Sequence, residues 1–269
     1  MFNLWMSAVF DGEAIEAEKL MKRYGITLVC GLATVVAAPV TVQAEPGASL
    51  IEIADVDRDA VPTGTPAAFY VAFPNADRNE ARRQVGGEDV YAFVPLAFIP
   101  LTDTRVALVS TGANDCTGQA CSGLNAVHYL DHPTGAPRYP YTLQGEWLDV
   151  GATGVVGNPA ARWGWTKAIA DNPVLFTEGG GVWQGRACGY AVLTELTPSG
   201  PVDIARFQTS FSDASADDGD AGVDGVITSA EQGRSFTVSY SGSVRFSETY
   251  RRGADGQFKL DGPSRVPAC

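Results

Sequence analysis

The sequence predicts an all-β fold, an antiparallel sandwich or irregular barrel, with a helical export signal at the N-terminus. Two observations carry the β prediction. From Val90 onward, short apolar runs recur between Gly-, Pro- and Asn-rich breaks. Toward the C-terminus, apolar and polar residues alternate with period two over three consecutive segments. A third observation limits helix: downstream of the signal, only Asp77–Asp89 has a helix-like charge pattern.

The elements follow in chain order. Residues 1–20 carry Asp11, Glu13, Glu16 and Glu18 ahead of a basic start, and acids there oppose a signal's function. They are read as a non-native extension. Met21-Lys22-Arg23-Tyr24, an uncharged stretch from Gly25 to Val40 and Val42-Gln43-Ala44 then read as a signal peptide over 21–44. Its apolar core is short for a membrane span, which needs about 20 strongly apolar residues, so the mature chain is expected to have none. Glu45 to Ala68 is an extended lead-in, broken by Val61-Pro62-Thr63-Gly64-Thr65-Pro66. A single all-β domain is expected over residues 69–269.

Within it, Phe69, Val71 and Phe73 alternate as in a strand. One short helix is expected near residues 77–85, stopped by Gly86-Gly87. Val90 to Leu101 is β-rich, but Pro95 and Pro100 oppose a regular central strand. Val106-Ala107-Leu108-Val109 and Val174-Leu175-Phe176 have the unbroken apolar pattern of strands buried on both faces. Val127 with Tyr129, Tyr139 with Tyr141 and Leu143, Trp163 with Trp165, and Tyr190 with Val192 each share a strand face. Phe236, Val238 and Tyr240, then Val244, Phe246 and Tyr250, then Phe258 and Leu260 make a three-strand meander with Glu248 on its apolar side.

The chain has 19 Lys+Arg against 31 Asp+Glu, a net charge of −12. Such acidity repels nucleic acid and anionic lipid and leaves a protein or glycan as the expected partner. Only four of the basic residues are Lys, while Ala and Gly abound, the bias of a GC-rich bacterial coding background. The expected location is the periplasm or the cell exterior.

Export makes Cys116, Cys121, Cys188 and Cys269 two disulfides. Spacing favours Cys116–Cys121 and Cys188–Cys269. A weak internal echo between the segments around Cys121 and Cys188 keeps Cys121–Cys188 as the rival.

Three motifs invite chemistry. Asp220 to Glu231 resembles a calcium loop, with Asp220, Asp224, Val226, Thr228 and Glu231 as oxygen ligands, but Gly222 replaces one ligand and the flanks look like strands. Glu146 beside Trp147, and Glu178 beside Gly179-Gly180-Gly181 and Trp183, could form the carboxylate pair of a glycan hydrolase. The two histidines, His128 and His132, are too far apart on one strand to share a metal. No nucleophile elbow accompanies them. The sequence therefore favours an exported binding or envelope domain, with a hydrolase and a calcium-binding module as alternatives. It supports no catalytic assignment.

Overall fold

A computed structural model describes residues 41–43, 48–133, 140–214 and 221–269. The elements are β1 (Thr41–Gln43), β2 (Ala54–Asp55), α1 (Thr65–Ala72), β3 (Ala81–Gln84), β4 (Val90–Thr102), β5 (Arg105–Ala113), β6 (Leu124–Asp131), β7 (Thr142–Trp147), β8 (Arg162–Thr166), β9 (Val174–Trp183), β10 (Arg186–Thr197), β11 (Gly200–Asp213), β12 (Ala221–Glu231), β13 (Ser235–Gly242), β14 (Phe246–Arg252) and β15 (Phe258–Leu260). The fold is mostly β, and every strand pairing is antiparallel.

Two sheets result. Five strands run β3-β4-β5-β6-β7, and a larger sheet runs β15-β14-β13-β12-β11-β10-β9-β8-β2, with β1 against β12. Alternation sorts the side chains into three layers. Leu108, Ala126 and Leu130 of the small sheet face α1. Ala107, Val109, Val127 and Tyr129 on its other face meet Leu175 and Leu196 of the large sheet. Beyond them, Phe176, Leu193, Phe207, Phe236 and Tyr250 fill the inside of the large sheet. That sheet curls into a half-barrel: Arg252 reaches Glu195 of β10 at 3.0 Å, and Gln257 donates to the Asp203 carbonyl of β11 at 2.7 Å. The runs Ala107–Val109 and Val174–Phe176 are buried on both faces, and the C-terminal meander forms as β13-β14-β15.

The short helix lies elsewhere than expected. Phe69, Val71 and Phe73 have strand-like alternation, yet Thr65–Ala72 is α1, with Pro66 in its first turn. Its buried residues, Thr65, Ala68, Phe69 and Ala72, follow helical spacing. Period two at three positions masked period 3.6 over eight. The charged segment expected as helix over 77–85 turns tightly at Asp77–Glu80, with Arg78 at φ 56°, and enters β3. Pro95 and Pro100 are accommodated by register shifts at Pro95/Ala97 and Pro100/Thr102 in β4. The expected lead-in is packed into the domain: Ile51 is core and β2 pairs with β8. Thr41–Gln43 at the end of the signal reading forms β1, while residues 1–40 lie outside the described residues.

Disulfides join Cys116 to Cys121 and Cys188 to Cys269, the pairing that spacing favours. The second anchors the segment after β15. There Ser264 Oγ and the Arg265 N–H donate to Glu248 Oε1 at 2.9 and 2.6 Å, and Tyr250 OH donates to Glu248 Oε2 at 3.2 Å. Val266 enters the half-barrel core. The buried Glu248 of the apolar face thus clamps a strap across the curl.

Candidate functional site

A cavity of about 600 Å³ lies against β9, β10 and β11, on the face of β9 that carries Leu175. Gly179 and Gly180 of β9, the segment residues Ala152, Thr153 and Val155, and Cys269 line it. Trp183, Gln184, Arg186, Tyr190 and Arg206 project into it. Strand alternation explains the set: Gly179 pairs with Tyr190, and Trp183 with Arg186, so these side chains share one face.

The Gly179–Gly181 run is steric. A Cβ on Gly179 would overlap the Thr153 carbonyl, and one on Gly180 would overlap the Cys188 carbonyl. A Cβ on Gly181 would come within 2.9 Å of both the Trp183 ring and a Val155 methyl. The glycines let the 152–155 segment lie directly on β9 and leave room for the tryptophan ring. The segment is further held by the Ala152 N–H donating to Thr177 Oγ1 at 2.7 Å.

Next to it lies a second cavity of about 430 Å³, lined by Arg58, Val155, Val156, Asn158 and Gly180 among others. The tight turn Val155–Asn158 borders the second cavity, with Val155 lining both, and is closed by the Asn158 N–H to the Val155 carbonyl at 3.2 Å. Its central residues, Val156 and Gly157, have φ of 57° and 70°. A β-branched residue at positive φ is strained. Gly157 is required here because a Cβ would overlap Asn114. The Cys116–Cys121 loop buttresses the turn: Gly157 N–H donates to the Cys121 carbonyl at 3.2 Å, and Gln119 donates to the Val182 carbonyl at 3.2 Å.

The groove is cationic within an acidic chain. Arg186 pairs with Asp213 at 3.0 Å. Arg206 lies over the Tyr190 ring, 5.8 Å from its centre, and among the described residues no carboxylate is placed within ion-pair distance of it. Arg58 donates to the carbonyls of Ala92 and Thr111 at 2.7 and 3.3 Å. Burial draws its pKa below the usual arginine value, against the opposing influence of Glu80 and Asp59. With five donors on a guanidinium, it has N–H groups left for a ligand.

The residues singled out from sequence are not gathered here. Glu146 shares a face with His128, toward α1, whereas Glu178 shares a face with Phe176, inside the half-barrel. The carboxylates thus lie on the outward faces of two stacked sheets whose backbones are about 10 Å apart. A glycosidase pair needs about 5–9.5 Å between carboxyls, so Glu146 and Glu178 do not form one. Each is also bound by arginine: Glu146 by Arg83 on both oxygens, Glu178 by Arg162 at 2.5 Å. Burial pushes the Glu146 pKa up, but the hydrogen bonds and charges of Arg83 and His128 outweigh it and hold it below the ordinary carboxylate value. His128 is fully buried and bonds Glu146 at 3.1 Å. Burial lowers its pKa more than Glu146 raises it.

The calcium-like segment is a strand. Asp220 lies outside the described residues, while Asp224, Val226, Thr228 and Glu231 are strung along β12. Seven strand steps separate Asp224 from Glu231, roughly 23 Å, whereas calcium ligands lie about 2.5 Å from one ion. Thr228 instead bonds Ser239 at 2.9 Å, and Glu231 pairs with Arg234 at 3.1 Å.

Of the groove residues, Gly179–Gly181, Trp183 and Tyr190 were visible in the sequence as a motif or an alternation; Arg58, Val156, Arg186 and Arg206 carried no signal. No known protein family matches the chain, and no curated protein or solved structure matches it.

Proposed function

We propose that the chain is an exported bacterial binding domain whose site is the Trp183–Arg206 groove, and that its ligand is a carboxylated, ring-bearing molecule of the uronic acid type. The observation that carries the reading is the convergence of Trp183, Tyr190 and Arg206 in one cavity of about 600 Å³. Aromatic faces suit the apolar faces of sugar rings, and a guanidinium suits a carboxylate. The chain's net charge of −12 does not exclude an anion, because charges beyond about 8 Å are largely screened at physiological salt.

Export is supported by the Met21 signal pattern and by two disulfides, which persist in oxidising compartments. No helix among the described residues is long and apolar enough to cross a membrane.

The test is calorimetric titration with galacturonate and with galactose, which differ chiefly in the carboxylate. Wild-type protein should bind the acid and not the neutral sugar, and Arg206→Gln should weaken binding about tenfold, as loss of one charge-assisted hydrogen bond predicts. Equal binding of both sugars, or binding indifferent to Arg206→Gln, refutes the reading.

A further inference from the structure

The two cavities adjoin: both are lined by Val155 and Gly180. Each alone lies within the range of about 300–1,000 Å³ that encloses a drug-sized ligand. A single sugar acid would occupy only part of the first. Cations stand in both: Arg186 and Arg206 in one, Arg58 in the other. The residues that line both cavities, Val155 and Gly180, carry no charge. Charge, uncharged span and charge again match a chain of repeating anionic units.

The turn between the cavities adds an independent observation. Val156 adopts a left-handed backbone that glycine or asparagine would adopt with less strain. Its side chain is exposed, so core packing does not explain the residue. Strained backbone of this kind concentrates at ligand sites. The strain keeps an apolar side chain at the rim of the second cavity, next to Val155, which borders both, and the Cys116–Cys121 loop holds the turn through the Cys121 carbonyl.

From these features we infer that the cavities are consecutive subsites of one groove, and that its ligand is a linear polyuronate. One carboxylate lies at Arg206, another at Arg58, and a sugar ring crosses Val156. This rests on the carboxylate reading of the first cavity, and the experiment separates the two.

The probes are oligogalacturonates of two, four and six units, with poly-glutamate as a peptide polyanion, titrated calorimetrically against wild type, Arg58→Gln, Val156→Asn and Arg206→Gln. The expected result is a tenfold or greater gain in affinity from two units to four or six. Arg58→Gln and Val156→Asn should erase that gain. Arg206→Gln should weaken every length. Val156→Asn should melt no lower than wild type, because asparagine tolerates the left-handed backbone; the variant thereby separates a ligand contact from a folding defect. Dimer binding that needs Arg206 but gains nothing with length overturns the two-subsite inference and leaves the first-cavity reading standing. Failure of every uronate to bind overturns both. Length-dependent binding of poly-glutamate without uronate binding replaces the sugar polymer by an acidic peptide and overturns the inference as stated.

Discussion

Replacing Glu248 by alanine should release the C-terminal strap. Its carboxylate is buried and accepts three hydrogen bonds: from the Arg265 N–H at 2.6 Å, Ser264 Oγ at 2.9 Å and Tyr250 OH at 3.2 Å. Bonds to a charged acceptor contribute about 1.5–3 kcal/mol each. Ser264 and Arg265 are exposed and can turn to water, so the low end of that range applies to both. Together they give about 3 kcal/mol, and the Tyr250 bond adds about 1.5 kcal/mol. A domain of this size loses about 2–4 °C of Tm per kcal/mol, so Glu248→Ala should melt about 9–18 °C below wild type. Glu248→Gln keeps the shape and one acceptor oxygen, and its amide can donate to the Tyr250 hydroxyl. It should lose no more than about 1 kcal/mol. Circular dichroism melts with the disulfides intact provide the assay. A Glu248→Ala protein melting within 2 °C of wild type would refute the clamp, as would a Gln variant as unstable as the Ala variant.

Two further outcomes follow from the same packing. Gly179→Ala should destabilise by about 1–3 kcal/mol through overpacking, because its Cβ would meet the Thr153 backbone, which cannot swing aside as a side chain can; a melt unchanged from wild type would show that the 152–155 wall does not rest on β9. Stability should also fall on acidification. The folded-state pKa of His128 lies below its reference value of 6.5, so protons favour the unfolded chain below that pH. The depressed pKa of Glu146 adds a contribution that is present above its reference value of 4.5 and lost as the pH falls below it. Melting across pH 4–7.5 should show both phases in wild type, and His128→Gln should remove only the upper one.

How much of this was legible depended on the range of the interaction. Period-two alternation specified β13, β14 and β15, because each strand buries one face and the signal is local. Val174-Leu175-Phe176 was equally plain, since a strand covered on both sides needs no polar face. Helix α1 was missed because Phe69 and Phe73 fit either period, and only burial at Thr65, Ala68 and Ala72 decides between them. The acids misled for a different reason. Glu146, Glu178 and Glu248 stand near aromatics or on apolar faces, which reads as chemistry or error until a distant partner is known. Those partners are Arg83, Arg162 and the 264–265 strap, up to 63 residues away in sequence. The groove was hidden for the same reason, since Arg58, Val156 and Arg206 come from three separated segments.

The two disulfides acquire a common meaning from that groove. In the chain-entropy account the short Cys116–Cys121 loop adds about 2 kcal/mol and the long Cys188–Cys269 loop about 4.5 kcal/mol. Stability alone would favour long loops and gives little reason for the short one. Position supplies that reason: the Cys121 carbonyl accepts from the Gly157 N–H of the strained turn, and Cys269 lines the first cavity. One disulfide therefore holds the turn beside the second cavity, and the other holds a residue that lines the first. Under the proposed binding function, a rigid groove would lose less conformational entropy when a ligand binds, which gives a cross-link spanning only five residues a role besides stability.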